Sequence, residues 1–178
     1  MNISKELTLG EFAALVATWL RAEGIDTVLT GGAVVSIYTN NKYQSYDADF
    51  VSPADHQSIA RVLRDKGFKQ EGKNFVHPDS DFFVEFPPGP LAVGGEYITA
   101  ETEIVLKGNK LKILSPTQSV MDRLAAYFHW TDRQSLDQAL WIAERHPIQM
   151  EKIRKWAKAE GSEEKFDEFL QLTKHKKR

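Results

Sequence analysis

Two short motifs limit this chain more than any other feature. Thr27-Val28-Leu29 is a β-branched and apolar run that leads directly into Gly31-Gly32. Fifteen residues after Gly32 comes Asp47-Ala48-Asp49-Phe50-Val51. The first reads as a buried strand followed by a helix from residue 33 to 38. The second reads as a strand with two faces. Successive strand residues point to opposite sides, so Asp47 and Asp49 share one face, about 7 Å apart along the backbone. Ala48 and Phe50 face the other way, toward a core. The chain therefore carries a glycine turn, a helix start and a strand with a pair of acids on one face.

Each part has a chemical meaning. A glycine pair lets backbone approach a ligand closely. A helix start there offers free N–H groups and a positive dipole end to a phosphate. Two carboxylates on one face repel unless a cation sits between them. Hard oxygen donors suit Mg²⁺ (or Mn²⁺), which keeps waters and shares substrate phosphates. Asp81-Phe82-Phe83-Val84-Glu85-Phe86 offers a third acid. Asp81 lies at the start of that strand and is expected to be solvated. Glu85 lies among apolar neighbours, where an acid needs a partner or a metal.

The rest of the chain supplies the frame. Thr8 and Glu11 form a capping box for a helix over residues 9–23, ended by Gly24. Ser52-Pro53 with Asp55 marks another helix, with proline at its favoured first position, and Gly67 stops it. Extended pieces follow at 68–70, 74–76 and 81–86, then a hairpin of 97–106 with 111–114 around Lys107-Gly108. Ser115-Pro116-Thr117-Gln118 repeats the cap-plus-proline signal. Beyond it the chain is expected to be helical in four pieces. The organisation expected is an α/β (α+β) core over 1–114 and a helical region over 115–178. Trp141 and Trp156 are expected in the core, and His129 and Trp130 in helix-end packing.

The chain of 178 residues contains no cysteine, which excludes a disulfide framework and a cysteine zinc site. The net charge of −2 argues against a general nucleic-acid coat protein. No apolar run reaches the roughly 20 residues of a membrane span, and no signal-peptide core opens the sequence, so a cytoplasmic location is expected. The basic tail from His175 to Arg178 is expected to be solvated.

Taken together, Leu29-Thr30-Gly31-Gly32, Ser45 two residues before Asp47, Asp47-Ala48-Asp49 and Glu85 resemble the nucleotidyltransferase superfamily with its DNA polymerase β-like fold. The pattern looks most like small proteins of the AbiEii-toxin type. The resemblance covers roughly residues 9–140 and implies a mixed sheet flanked by helices. It implies that Asp47, Asp49 and Glu85 are catalytic and ligate metal. Gly31, Gly32, Ser36, Ser45 and Arg123 would then contact nucleotide or phosphate. Relatives often carry lysine where this chain has Arg123. The implied reaction moves an NMP from an NTP, ATP among them, to an acceptor: RNA, a protein or a small molecule. A toxin–antitoxin or defence role, with an antitoxin or a second copy as partner, is in keeping with it. A catalytically silent binding module on the same fold is the alternative.

Overall fold

The computed structural model describes residues 2–100 and 102–176, and the basic tail from His175 to Arg178 lies outside the residues whose side chains are described. The chain opens with α1 (Leu9–Ala22). Its N-cap is Thr8, and the capping box with Glu11 is formed in both directions. Strand β1 (Val28–Thr30) runs without a linker into α2 (Gly31–Tyr38). Strand β2 (Asp47–Val51) and α3 (His56–Asp65) follow. The cap of α3 is Asp55, which accepts from the Ser58 N–H. Pro53 therefore lies before the cap and not at the first helical position. Ser52 explains the shift, because its hydroxyl holds a separate turn by bonding Asp26 O and Ala54 N.

Strands β3 (Lys69–Glu71), β4 (Asn74–Val76) and β5 (Phe83–Glu85) come next. Residues 87–100 then leave the sheet and fold a small hairpin, β6 (Ala92–Val93) with β7 (Glu96–Tyr97). The strand expected to begin at residue 97 is therefore two pieces. The long hairpin proper is β8 (Thr102–Leu106) with β9 (Asn109–Ile113). Lys107 and Gly108 both have positive φ at its turn, as the tightest hairpin loops require. Helices α4 (Pro116–Trp130), α5 (Arg133–Arg145), α6 (Met150–Ala159) and α7 (Glu163–Lys176) complete the chain.

The main sheet is mixed, in the order β3-β4-β5-β2-β1-β9-β8. Strand β2 is antiparallel to β1 and parallel to β5. Its two faces differ sharply. Leu29, Ala48, Phe50, Phe75, Val84, Leu111 and Ile113 are all buried. Their register places them on one side. Helices α1 and α3 cover that side: Gly10 approaches Leu106, and His56 meets the Phe75 ring at 5.5 Å. Each large side chain buried here contributes about 1.5–3 kcal/mol. The other face carries Thr30, Asp49, Glu85 and Asn74 in a row across β1, β2, β5 and β4. One face of this sheet is thus a core surface and the other carries a polar row.

The C-terminal helices close around Phe128 and Trp156, whose rings stack at 5.3 Å, and around Phe166 and Phe169. They are tied back by a 2.8 Å hydrogen bond between His146 Nε2 and Tyr38 O and by Trp156 Nε1 donating to Val93 O. Trp156 is core as expected, but Trp130 is 77% exposed and packs on little. Trp141 is half-buried beneath Lys42. Among the described residues no helix is long and apolar enough to cross a membrane.

Candidate active site

The site begins where β1 becomes α2. Gly31 has φ +66, and a Cβ there would lie 2.7 Å from Asp49 Oδ2. Only glycine relieves both constraints. At Gly32 a Cβ would stand 3.1 Å from both Ser45 Oγ and the Tyr43 ring. The start of α2 is thus pressed against the acid strand. Thr30 Oγ1 donates to Asp49 O and pins the two strands at this point.

Asp47 and Asp49 lie on the open face of β2, as the alternation requires. Ser45 Oγ donates to the Asp47 carboxylate. Ser45 is in turn held by Ser36, whose Oγ accepts from the Ser45 N–H at 2.9 Å and donates to Gly32 O at 3.2 Å. Ser36 is almost fully buried, with its hydroxyl spent inside the protein. Glu85 pairs with Asp49 in the β2–β5 register, so the two carboxylates sit on adjacent strands about 5 Å apart at the backbone. Asp81 lies outside the strand and pairs loosely with Lys5 at the surface.

The electrostatics follow from this crowding. Asp49 has no hydrogen-bond or ion-pair partner for its carboxylate among the described residues. Burial, then the charges of Asp47 and Glu85, push its pKa from 3.8 up to about 6, against the pull of Arg123 and Lys73. Glu85 is held by Lys73, whose Nζ lies 2.9 Å away. That contact raises the Lys73 pKa. Beside Glu85, the Asn74 Oδ1 is buried with no hydrogen-bond partner.

Among the described residues, no three His, Cys, Asp or Glu side chains are arranged to hold a metal ion. The three-acid ligand set expected from the sequence is not assembled as the side chains stand. Ser45 engages one carboxylate and Lys73 pairs with another. The chemistry of the donors still suits a hard divalent cation. Three carboxylates share one face, one of them unpartnered and strained by its neighbours' charge.

Arg123 sits on α4. Its Nη2 lies 2.5 Å from Asp122 Oδ2, and Nη1 reaches Gln138 Oε1 at 3.5 Å. Its charge is felt at Asp49, where it opposes the rise in pKa. Lys73 and Asn74 were not found by sequence reasoning. Both belong to the β3–β4 hairpin, where Lys73 follows the positive-φ Gly72. A lysine in a hairpin turn is an ordinary surface residue until the register places it beside an acid.

Among solved structures, the chain is similar to an antigenic nucleotidyltransferase-like protein from Paracoccidioides brasiliensis. The TM-score is 0.61 at 16% identity, over 80% of this chain and 78% of that one. The chain has the nucleotidyltransferase fold. It is also similar to ANT(2″)-Ia in complex with adenylyl-2″-tobramycin, with a TM-score of 0.50 at 15% identity, over 88% of this chain and 94% of that one. No family model matches the sequence, and no curated protein does. On this nucleotidyltransferase fold the glycine pair, the acid pair and Glu85 lie around the edge where β1 gives way to α2.

Proposed function

We propose that this protein is a metal-dependent nucleotidyltransferase that moves an NMP from an NTP, such as ATP, to the hydroxyl of an acceptor. The observation that carries the proposal is the register of Asp49 with Glu85, two residues on from Asp47, on the open face of the sheet beside the glycine start of α2. Such crowding of like charge at an unpartnered, largely buried carboxylate costs stability unless a cationic ligand compensates it. A similar fold bound to adenylyl-2″-tobramycin supports a nucleotidyl group as the transferred unit.

Roles follow from position. The backbone N–H groups at Gly31 and Gly32 would receive the leaving phosphates, because a helix start offers free donors and a positive dipole end. Asp47 and Asp49 would hold Mg²⁺ or Mn²⁺, with Glu85 joining once Lys73 releases it. The metal supplies charge neutralisation for in-line phosphoryl chemistry. Ser45 orients Asp47, and Ser36 acts through Ser45 as a positioning residue, not as a phosphate contact. Lys73 and Arg123 are the two cations that the acids feel. Both can follow the negative charge of a triphosphate. The helices from Pro116 onward form the wall that carries Arg123.

A thermal-shift panel tests this. Each NTP is added with and without Mg²⁺ to the wild type and to Asp47→Ala/Asp49→Ala. Ligand at a hundred times its Kd adds about 2.7 kcal/mol to the native state. A metal-dependent rise that the double variant loses supports transfer chemistry, and release of pyrophosphate with an acceptor panel completes it. A well-folded protein that no nucleotide shifts would be a silent module on this fold.

A further inference from the structure

The open face of the sheet does not end at the acids. Two residues along from Thr30 and Asp49, the same face carries Val28 opposite Val51, about 7 Å further on. Here the face forms the floor of a cavity of about 570 Å³. The roof comes from the two arms of the 87–100 excursion, which contribute Pro90, Leu91, Ile98 and Ala100. A space of this size lies within the usual range for small-molecule sites. Its charges cancel at the rim, where Lys112 Nζ lies 3.7 Å from Asp26 Oδ1.

We propose that this cavity binds the acceptor, and that the acceptor is an uncharged, largely apolar small molecule carrying a hydroxyl. This acceptor site rests on the transfer reaction proposed above and on its direction. In-line displacement puts the attacking oxygen opposite the leaving pyrophosphate. The glycine start of α2 and Asp47 lie toward one end of β1, Asp49 is level with Thr30 at that end, and the cavity lies at the other end. Pyrophosphate at Gly31 and Gly32 therefore sets the acceptor on the cavity side. The acceptor oxygen forms a bond to the α-phosphorus, and its proton passes to the Glu85 carboxylate. The bond to the bridging oxygen breaks, and pyrophosphate leaves with that electron pair. A polycationic acceptor would need unpaired acids in the lining. Here the one acid in the lining is already matched by a lysine.

The test uses 2-(2-naphthyl)ethanol as a neutral apolar alcohol and tobramycin as a polycation. Binding to the full chain is followed by methyl NMR shifts at Val28, Val51, Leu91 and Ile98. The alcohol is expected to move these methyls and to bind at least tenfold more tightly than tobramycin. Ala100→Trp, which fills the space, should weaken it at least tenfold while leaving the ATP thermal shift in place. Leu91→Asp, on the opposite arm, should do the same if the tryptophan variant is poorly folded. Asp47→Asn/Asp49→Asn should leave alcohol binding unchanged, so a failure of the nucleotidyltransferase reading is seen separately, as a missing ATP shift. Equal affinity for tobramycin, shifts confined to other methyls, or no effect of either cavity variant would overturn the proposal. So would competition between ATP and the alcohol, which would make the cavity the site of the nucleotide base.

Discussion

Gly31 and Asp49 are fitted to each other: the missing Cβ of one leaves room for the carboxylate of the other, at 2.7 Å from where that Cβ would stand. The backbone at Gly31 is also left-handed. An alanine there meets both penalties. Gly31→Ala is expected to lose at least the about 1–2 kcal/mol of the left-handed conformation, read from urea denaturation. It should also abolish any nucleotide-induced thermal shift, because the carboxylate must move. A variant as stable as the wild type would show that this junction is not under the constraint described.

The raised pKa of Asp49 makes a pH prediction. Its folded value lies above its ordinary value of 3.8, at about 6. The native state therefore holds its proton more tightly than the unfolded chain. Stability from this group is full below pH 4 and is lost as pH rises toward and through about 6. Asp49→Asn removes the loss. Without added metal, the variant should gain on the wild type between pH 4 and pH 7, by roughly 2–3 kcal/mol at 1.36 kcal/mol per pKa unit. Parallel stability curves for the two proteins across that range would refute the assignment.

Lys73 offers a separate check. Its side chain is mostly exposed, so the ion pair with Glu85 contributes little to stability. Its charge nevertheless lowers the Asp49 pKa. Lys73→Met is expected to leave the melting midpoint nearly unchanged and to raise the Asp49 titration midpoint, followed by carboxyl ¹³C NMR. A large fall in stability with no change in titration would mean that Lys73 is structural and electrostatically remote.

Helix α4 carries Arg123, and its start is held by the Ser115 capping box with Gln118, together with Pro116. Removing the cap should loosen the wall behind the acids. Ser115→Ala is expected to cost about 1 kcal/mol in chemical denaturation. Hydrogen exchange in the first turn of α4 should rise with it, while α1, capped independently by Thr8, stays protected.

The elements and most of the candidate site were legible in the chain because they rest on local rules. Asp47, Asp49 and Glu85 alternate with apolar neighbours, so their common face follows from strand periodicity. Thr8, Asp55, Ser115 and Asp132 all cap helices in the structure, because a capping hydroxyl or carboxylate needs only the next turn. Gly31 and Gly32 announced a tight junction for the same reason. What the sequence could not fix was distance between segments far apart in the chain. Lys73 became a partner of Glu85 only through β4–β5 pairing, and Ser36 turned inward only because Ser45 folded against it. The split of the expected strand into β7 and β8, and the cavity roofed by residues 87–100, depend on docking against α4 and α6. Local conformation is set by each residue's own backbone and side-chain preferences. The meeting of charges, and the shape of the space between them, is set by packing.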